Sequence, residues 1–297
     1  MECLHPITIN NPRYGKLIRG SRGKPEPKYI EVPCGKCVAC LSKRRQEWCF
    51  RLKQEQKASL TSWFVTLTYD DEHLPTLQQA KEYNNSLRLS VRKSGNDQIM
   101  EHFQKWHVQK FMKLLRDKYK SYVPDPYKIR YFCVSDYGGK FGRLHYHLLL
   151  FNFPLSAASA TRLAISECIQ KIWKKGGVYV GTVTDKSINY TCKYVLQRPS
   201  VTGCPKTWMT CSNKPGIGAS FITEKNMFNV IRLKKPAVRV GDSCYMKLPR
   251  YYVYKFLPYD VPCFDNIRYD YGEAVKRQVQ AKIEENLRKY REKYDED

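Results

Sequence analysis

The segment Ile129-Arg130-Tyr131-Phe132-Cys133-Val134-Ser135-Asp136-Tyr137-Gly138-Gly139-Lys140-Phe141-Gly142-Arg143-Leu144-His145-Tyr146-His147-Leu148-Leu149-Leu150-Phe151 reads as two strands joined by a glycine turn. Ile129–Ser135 is rich in β-branched and aromatic residues, a strand signal. Gly138-Gly139 and Gly142 mark the turn. Leu144–Phe151 is the second strand, stopped by Pro154. Side chains alternate across a strand, so His145 and His147 share one face and Tyr146 takes the other. Asp136 ends the first strand, and a tight turn brings its carboxylate back beside the two imidazoles.

Outward from this hairpin, Trp63–Tyr69 is an upstream strand and Asp70–Gly95 a long polar excursion. Between Glu101 and Lys120, Phe103, Trp106, Phe111, Leu114 and Leu115 lie close to one helical stripe. Downstream, Ala157–Trp173 reads as a helix, Gly177–Val183 as a strand, and Ser187–Gln197 as a short helix ended by Pro199. The order β-α-β-β-α-β is that of the ferredoxin-like split unit: an α+β fold with an antiparallel sheet, helices on one face and the other face open.

The first 33 residues are rich in Gly, Pro, Asn and basic residues and read as an irregular arm. A cluster follows, Cys34-Gly35-Lys36-Cys37-Val38-Ala39-Cys40, and then Leu41, Arg45, Trp48 and Leu52 step along a helical face. Residues 199–262 show no clear periodicity, and Glu273–Tyr294 reads as a charged helix. The expected organisation is a basic, cysteine-rich arm and helix at 1–58, a core at 59–200 and a basic extension at 201–297.

Fifty-two Lys and Arg against 28 Asp and Glu leave a net charge of +24. So large an excess fits a polyanion, because each cation near a phosphate releases condensed counterions. Aromatic residues interleaved with basic ones suit stacking of exposed bases. No stretch approaches a membrane span, and no charged start followed by an apolar run occurs at Met1–Lys16. The expected location is the cytoplasm, where clustered cysteines read as metal ligands before disulfides. No Walker motif is present, so unwinding must come from another protein.

Three groups of residues carry chemistry. The imidazoles of His145 and His147 with the carboxylate of Asp136 suit Mg²⁺, Mn²⁺ or a similar ion that keeps positions open for a phosphate. Alternatively the histidines are structural and Asp136 caps a turn. Tyr190 and Tyr194 share a helical face, and Lys193 lies near Tyr190. A phenol is a poor nucleophile at neutral pH, and a nearby ammonium stabilises its phenolate. Alternatively these tyrosines form a packing face. Cys34, Cys37 and Cys40 supply three of the four ligands that structural Zn²⁺ needs, with reduced, unliganded cysteines as the other reading. Cys133, Cys168, Cys192, Cys204, Cys211, Cys244 and Cys263 are scattered and read as small buried hydrophobes.

Thr66-Leu67-Thr68, then His145-Tyr146-His147, then Tyr190 with Lys193, in that order, resembles the three motifs of the HUH endonuclease superfamily. Cys34–Cys40, Phe64–Tyr69, Gly142–His147, Lys214-Pro215-Gly216-Ile217-Gly218 and Leu248-Pro249-Arg250-Tyr251-Tyr252 resemble the replication initiators of gokushovirus-type microvirus phages. The resemblance runs from about Cys3 to Tyr252 and makes residues 59–200 the nuclease core. It implies a site-specific nickase and strand transferase that starts rolling-circle replication through a 5′-phosphotyrosine, with Tyr190 as first nucleophile and Tyr194 as second. It implies a catalytic Mg²⁺ or Mn²⁺ on His145, His147 and Asp136, and favours Cys3 as the fourth Zn²⁺ ligand over Cys49 and His5. Thr66, Thr68 and Arg143 are the expected DNA contacts. The expected partners are single-stranded DNA, the origin, and a host helicase and polymerase, within the host bacterium's cytoplasm. One departure stands out: the family's acidic ligand is Glu where this chain has Asp136, and the shorter side chain leaves Glu72, His73 or water as alternatives. The competing readings are a relaxase or transposase of the same superfamily, and a non-catalytic zinc-containing nucleic-acid-binding protein.

Overall fold

A computed structural model describes residues 3–11, 14–15, 27–138, 142–153, 161–195, 207–226, 237–240 and 245–256. The expected helix at Glu273–Tyr294 and Cys204, Cys244 and Cys263 lie outside the described residues. In chain order the elements are β1 (Ile7–Asn10), β2 (Tyr29–Val32), α1 (Val38–Ala58), β3 (Ser62–Thr68), α2 (Leu77–Ser86), α3 (Asn96–Tyr119), β4 (Arg130–Tyr137) and β5 (Leu144–Phe151). They continue with α4 (Arg162–Trp173), β6 (Val178–Thr182), α5 (Asp185–Tyr194), β7 (Met209–Cys211), β8 (Ala237–Arg239), β9 (Tyr245–Lys247) and α6 (Arg250–Phe256). Contacts divide the chain into one unit at Trp48–Ser220 and another made of Met1–Glu47 with Phe221–Asp297. No helix among the described residues is long and apolar enough to cross a membrane.

Unit Trp48–Ser220 is built on a five-stranded antiparallel sheet in the order β6-β3-β5-β4-β7. The fifth strand, Met209–Cys211, lies beyond the 59–200 core expected from the sequence. Strand alternation sorts the core into two layers. Tyr146, Leu148 and Leu150 of β5, with Val65 and Leu67 of β3, pack against Val108, Phe111 and Leu115 of α3 and Ile165, Ile169 and Trp173 of α4. Leu149 and Phe151 of β5, with Phe132 and Val134 of β4, pack on the other side against Leu52 of α1 and Ile188, Cys192 and Val195 of α5.

The expectation of helices on one face is therefore corrected. The sequence signal is Leu148-Leu149-Leu150-Phe151, four consecutive residues with no exposure. A strand covered on one side alternates, whereas a continuous apolar run is the mark of a strand covered on both. The second face stays open only at the other end of β5, where His145 and His147 replace leucines.

The polar excursion also holds structure that periodicity missed. Thr76 and Gln79 form a capping box that starts α2, a helix that buries only Ala80 and Asn84. Gly176 (φ +150°) lets the α4–β6 turn approach the end of β3 closely, since a Cβ there would sit 2.4 Å from the Thr68 carbonyl oxygen.

The motif Lys214–Gly218 has a structural role. Ile217 is buried, its carbonyl accepts from Arg51 Nε at 3.0 Å, and the Gly218 N–H donates to Glu55 Oε2 at 2.7 Å. Glu55, 5% exposed, also pairs with Arg130. Removing one partner of a buried ion pair strands the other charge. Glu55→Ala is therefore expected to lower unfolding free energy by about 3–5 kcal/mol in urea titrations, and a loss under about 1 kcal/mol would refute this role for Glu55.

Candidate metal centre and tyrosine pair

Register positions the first group. His145 on β5 stands opposite Asp136 on β4 and Thr68 on β3, and His147 stands opposite Val134 and Thr66. The Asp136 Oδ2 atom lies 3.2 Å from His145 Nε2 and 3.8 Å from His147 Nε2, and the two Nε2 atoms are 3.2 Å apart. The strands thus bring together all three residues expected as metal ligands, with their ligand atoms within 4.8 Å of one another. Glu72 and His73 are not part of this cluster, and His73 pairs with Asp70 at 2.7 Å.

The outer ring nitrogens fix the imidazoles. His145 Nδ1 donates to the Arg143 carbonyl at 3.1 Å, which leaves its Nε2 lone pair facing the cluster. His147 Nδ1 lies 3.2 Å from the Thr66 hydroxyl. Two lone pairs at such a separation repel unless a proton or a cation lies between them. Burial opposes ionisation of Asp136, but hydrogen bonds from His145 and His147 outweigh it and hold the carboxyl well below its usual range. Burial likewise opposes a charge on His145, where Asp136 prevails and raises the pKa; on His147 burial prevails and lowers it. Two nitrogens and a carboxylate, one side open, fit a hard divalent ion that keeps coordination positions for oxygen.

Helix α5 carries the tyrosines over this cluster. Its start is set by a Thr184–Ser187 capping box, and Ile188 and Cys192 anchor it to the sheet. Its partner is α1: Lys53 Nζ meets Asp185 at 2.8 Å, Gln56 donates to the Val183 carbonyl at 2.9 Å, and the Cys49 thiol donates to Asn189 at 3.3 Å. The Tyr190 hydroxyl lies 3.4 Å from His147 Nε2, and Tyr194 donates to it at 2.7 Å. The two phenols differ. Tyr190 is 38% exposed. Tyr194 is pushed well above the usual phenol range, by burial first, then by its hydrogen bond to Tyr190 and the charge of Asp136.

A cleft of about 740 Å³ opens beside Tyr190, and Lys193 lines it together with His147, Thr66 and Phe64. Two of the expected DNA contacts are engaged within the protein. Thr68 exchanges hydrogen bonds with the Gly177 backbone at 3.0 and 3.1 Å. Arg143 donates twice to the Tyr69 carbonyl and pairs with Asp71 at 2.8 Å. Sequence reasoning missed Tyr179 and Lys186, which line the same cleft. Tyr179 is legible as the residue of the Gly177–Val183 strand in phase with the open face.

In the other unit, Cys3, Cys34, Cys37 and Cys40 bring their sulfurs within 4.8 Å of one another. Four thiolates around Zn²⁺ at bonds near 2.3 Å form a tetrahedron with edges of about 3.8 Å. Cys3 and Cys37 Sγ are 3.8 Å apart. Backbone N–H groups of Cys34 and Cys37 donate to the Cys3 and Cys34 sulfurs at 3.2 and 3.3 Å. Four crowded sulfurs cannot all ionise without a shared cation. Burial opposes ionisation of Cys37, yet backbone donors including Cys40 and Leu4 draw it down to about 6, while burial pushes Cys40 up to about 12. The donor set fits Zn²⁺. Cys49 lies outside this cluster, as does His5. Of the scattered cysteines, Cys133 and Cys192 are buried and Cys168 and Cys211 are half-buried.

Fold and site together define an α+β protein in which two imidazoles and a carboxylate face a tyrosine pair. Residues 95–198 match the family model for the ORF2-type replication-associated protein. The chain is 31% identical over 220 residues to the replication-associated protein ORF2 of Spiroplasma virus 4, covering 68% of this chain and 62% of that protein. It is 26% identical over 208 residues to the replication-associated protein VP4 of Bdellovibrio phage phiMH2K (67% of this chain, 58% of that one). It is 28% identical over 186 residues to the replication-associated protein ORF4 of Chlamydia phage 1 (58% and 39%). The chain thus spans less than two thirds of the length of each of these relatives. The resemblance to phage replication proteins read from the sequence is borne out. No solved structure matches.

Proposed function

We propose that the chain is a replication initiator of a small single-stranded DNA phage, a site-specific nickase and strand transferase that works through a 5′-phosphotyrosine. The observation that carries this reading is the Tyr190 hydroxyl, 3.4 Å from His147 Nε2 at the three-ligand cluster. The strand order β6-β3-β5-β4, with α3 and α4 as crossovers on one face, supports reading the core as the ferredoxin-like unit with added elements.

Asp136, His145 and His147 would hold Mg²⁺ or Mn²⁺, which when bound supplies Lewis-acid polarisation of the scissile phosphate. Tyr190 loses its proton to solvent and its oxygen attacks phosphorus. A new O–P bond forms to the 5′ phosphate, the P–O3′ bond breaks, and the 3′ oxygen takes a proton to become a primer hydroxyl. Tyr194, held protonated, donates into the Tyr190 oxygen and stabilises charge there before the attack; the ammonium of Lys193 favours the phenolate in the same way. After synthesis Tyr194 accepts the next strand, and the reverse attack reseals a circle. Cys3, Cys34, Cys37 and Cys40 would hold a structural Zn²⁺. Host proteins would supply unwinding and polymerisation in the bacterial cytoplasm.

The test uses single-stranded circular DNA carrying the phage origin. With Mn²⁺ the full chain is expected to open circles and to carry labelled DNA on a tyrosine, and EDTA to block both. DNA retained without any nick at any divalent ion concentration would refute the nuclease and leave a binding protein.

A further inference from the structure

The row of the sheet that carries His147 continues across two more strands. Val134, His147, Thr66 and Tyr179 stand side by side on β4, β5, β3 and β6. At an interstrand spacing of about 4.8 Å, the Tyr179 backbone lies roughly 10 Å from that of His147. The next row is Leu149, Phe64 and Gly181, and it explains the pose of Tyr179. A Cβ on Gly181 would lie 3.6 Å from the Tyr179 ring, so the ring leans along β6 across a position with no side chain. Tyr179 is 62% exposed on this face. Lys186 and Lys193 of α5 line the same cleft, both exposed, and Asn189 adds an amide. A cleft of about 740 Å³ is large enough for a nucleotide.

We propose that this cleft holds the nucleotide of a DNA single strand next to the scissile phosphate, its base stacked on Tyr179 and its flanking phosphates on Lys186 and Lys193. The inference rests on the nuclease reading, which places the scissile phosphate at Tyr190. Charge complementarity commits the occupant to a strand: the chain is strongly cationic, and this cleft joins two ammonium groups to an exposed ring. A paired base cannot reach the ring, so the cleft selects unpaired DNA.

The experiment compares two probes of equal length and charge, a short thymidine oligonucleotide and the same backbone with abasic sugars. Binding of the full chain is followed by fluorescence anisotropy in EDTA at the catalytic site, with Zn²⁺ retained in the protein. The native chain is expected to prefer the thymidine strand by about ten-fold or more. Tyr179→Ala removes most of that preference, and Tyr179→Phe keeps it. Lys186→Ala weakens both probes alike and reduces the salt slope by about 0.7. Equal preference in native chain and Tyr179→Ala overturns the proposal, as does loss of preference in Tyr179→Phe. Because no cleavage is measured, a chain that shows the Tyr179-dependent preference and never nicks refutes only the nuclease. A chain that nicks with an unchanged preference in Tyr179→Ala refutes only the stacking cleft.

Discussion

Tyr190→Phe will slow formation of the covalent DNA adduct by on the order of 10⁴-fold or more, the range seen when an enzyme loses its nucleophile. The substitution deletes one oxygen and little else. The ring still meets Phe64 at 6.4 Å and His147 at 5.0 Å between centroids, so the fold of α5 over the sheet is kept. The remaining phenol is a poor replacement in the first cleavage. Tyr194 is half-buried, donates toward Tyr190, and is held protonated by burial and by the nearby charge of Asp136. Tyr194→Phe keeps the nucleophile and loses a donor to it, so a drop of about 10²-fold is expected, the scale of one lost stabilising hydrogen bond. Mass spectrometry of trapped adducts reads both variants. An adduct formed at the native rate by Tyr190→Phe, or any adduct in the double phenylalanine variant, overturns the assignment.

The order of these two effects is not readable from the sequence. Spacing places Tyr190 and Tyr194 on one helical face and makes them equivalent. What separates them is depth, set by Ile188 and Cys192 beneath α5 and by the α1 contacts at Asp185, Asn189 and Val183. Such contacts join residues more than a hundred positions apart, and local pattern carries no trace of them. Asp136 is legible for the opposite reason: a hairpin ties it to His145 through strand register alone.

The same contrast runs through the fold. Strands β3, β4 and β5 announce themselves through aromatic and β-branched runs. Strand β7 is three residues long and is held by pairing to β4, so no periodicity can form. Helix α2 is hidden because it is stabilised at its cap and carries almost no buried face. The covered second face is written in Leu148–Phe151, whereas the histidines earlier in the same strand mark the half that is open. A strand can therefore change role along its length, and a period that holds for one half says nothing about the other.

Cys37→Ser will remove Zn²⁺ from the chain and unfold the loop that joins β2 to α1. Structural zinc in small sites contributes on the order of 10 kcal/mol of apparent binding energy near neutral pH, and little else holds this segment. Strands β1 and β2 are four residues each, β1 is exposed throughout, and a two-stranded pair is marginal in water by itself. The sulfurs of Cys3, Cys34, Cys37 and Cys40 fasten the segment before β1 to the first turn of α1. Native chain purified without chelators is expected to carry one Zn²⁺, and Cys37→Ser or Cys3→Ser less than about a tenth of that, with faster proteolysis between residues 27 and 40. His145→Ala keeps its Zn²⁺, which separates this site from the catalytic one. Acid has the same sign as the mutation. Ligation needs thiolates, so protons compete with the ion and affinity falls as pH falls. Cys40, pushed up to about 12 by burial, is the sulfur that gives up most to become a ligand, and it makes that competition steep. Stoichiometric Zn²⁺ in Cys37→Ser would overturn the four-cysteine site. Zinc-free native chain with an unchanged proteolytic pattern would show that hydrogen bonds between the cysteines hold the loop without an ion.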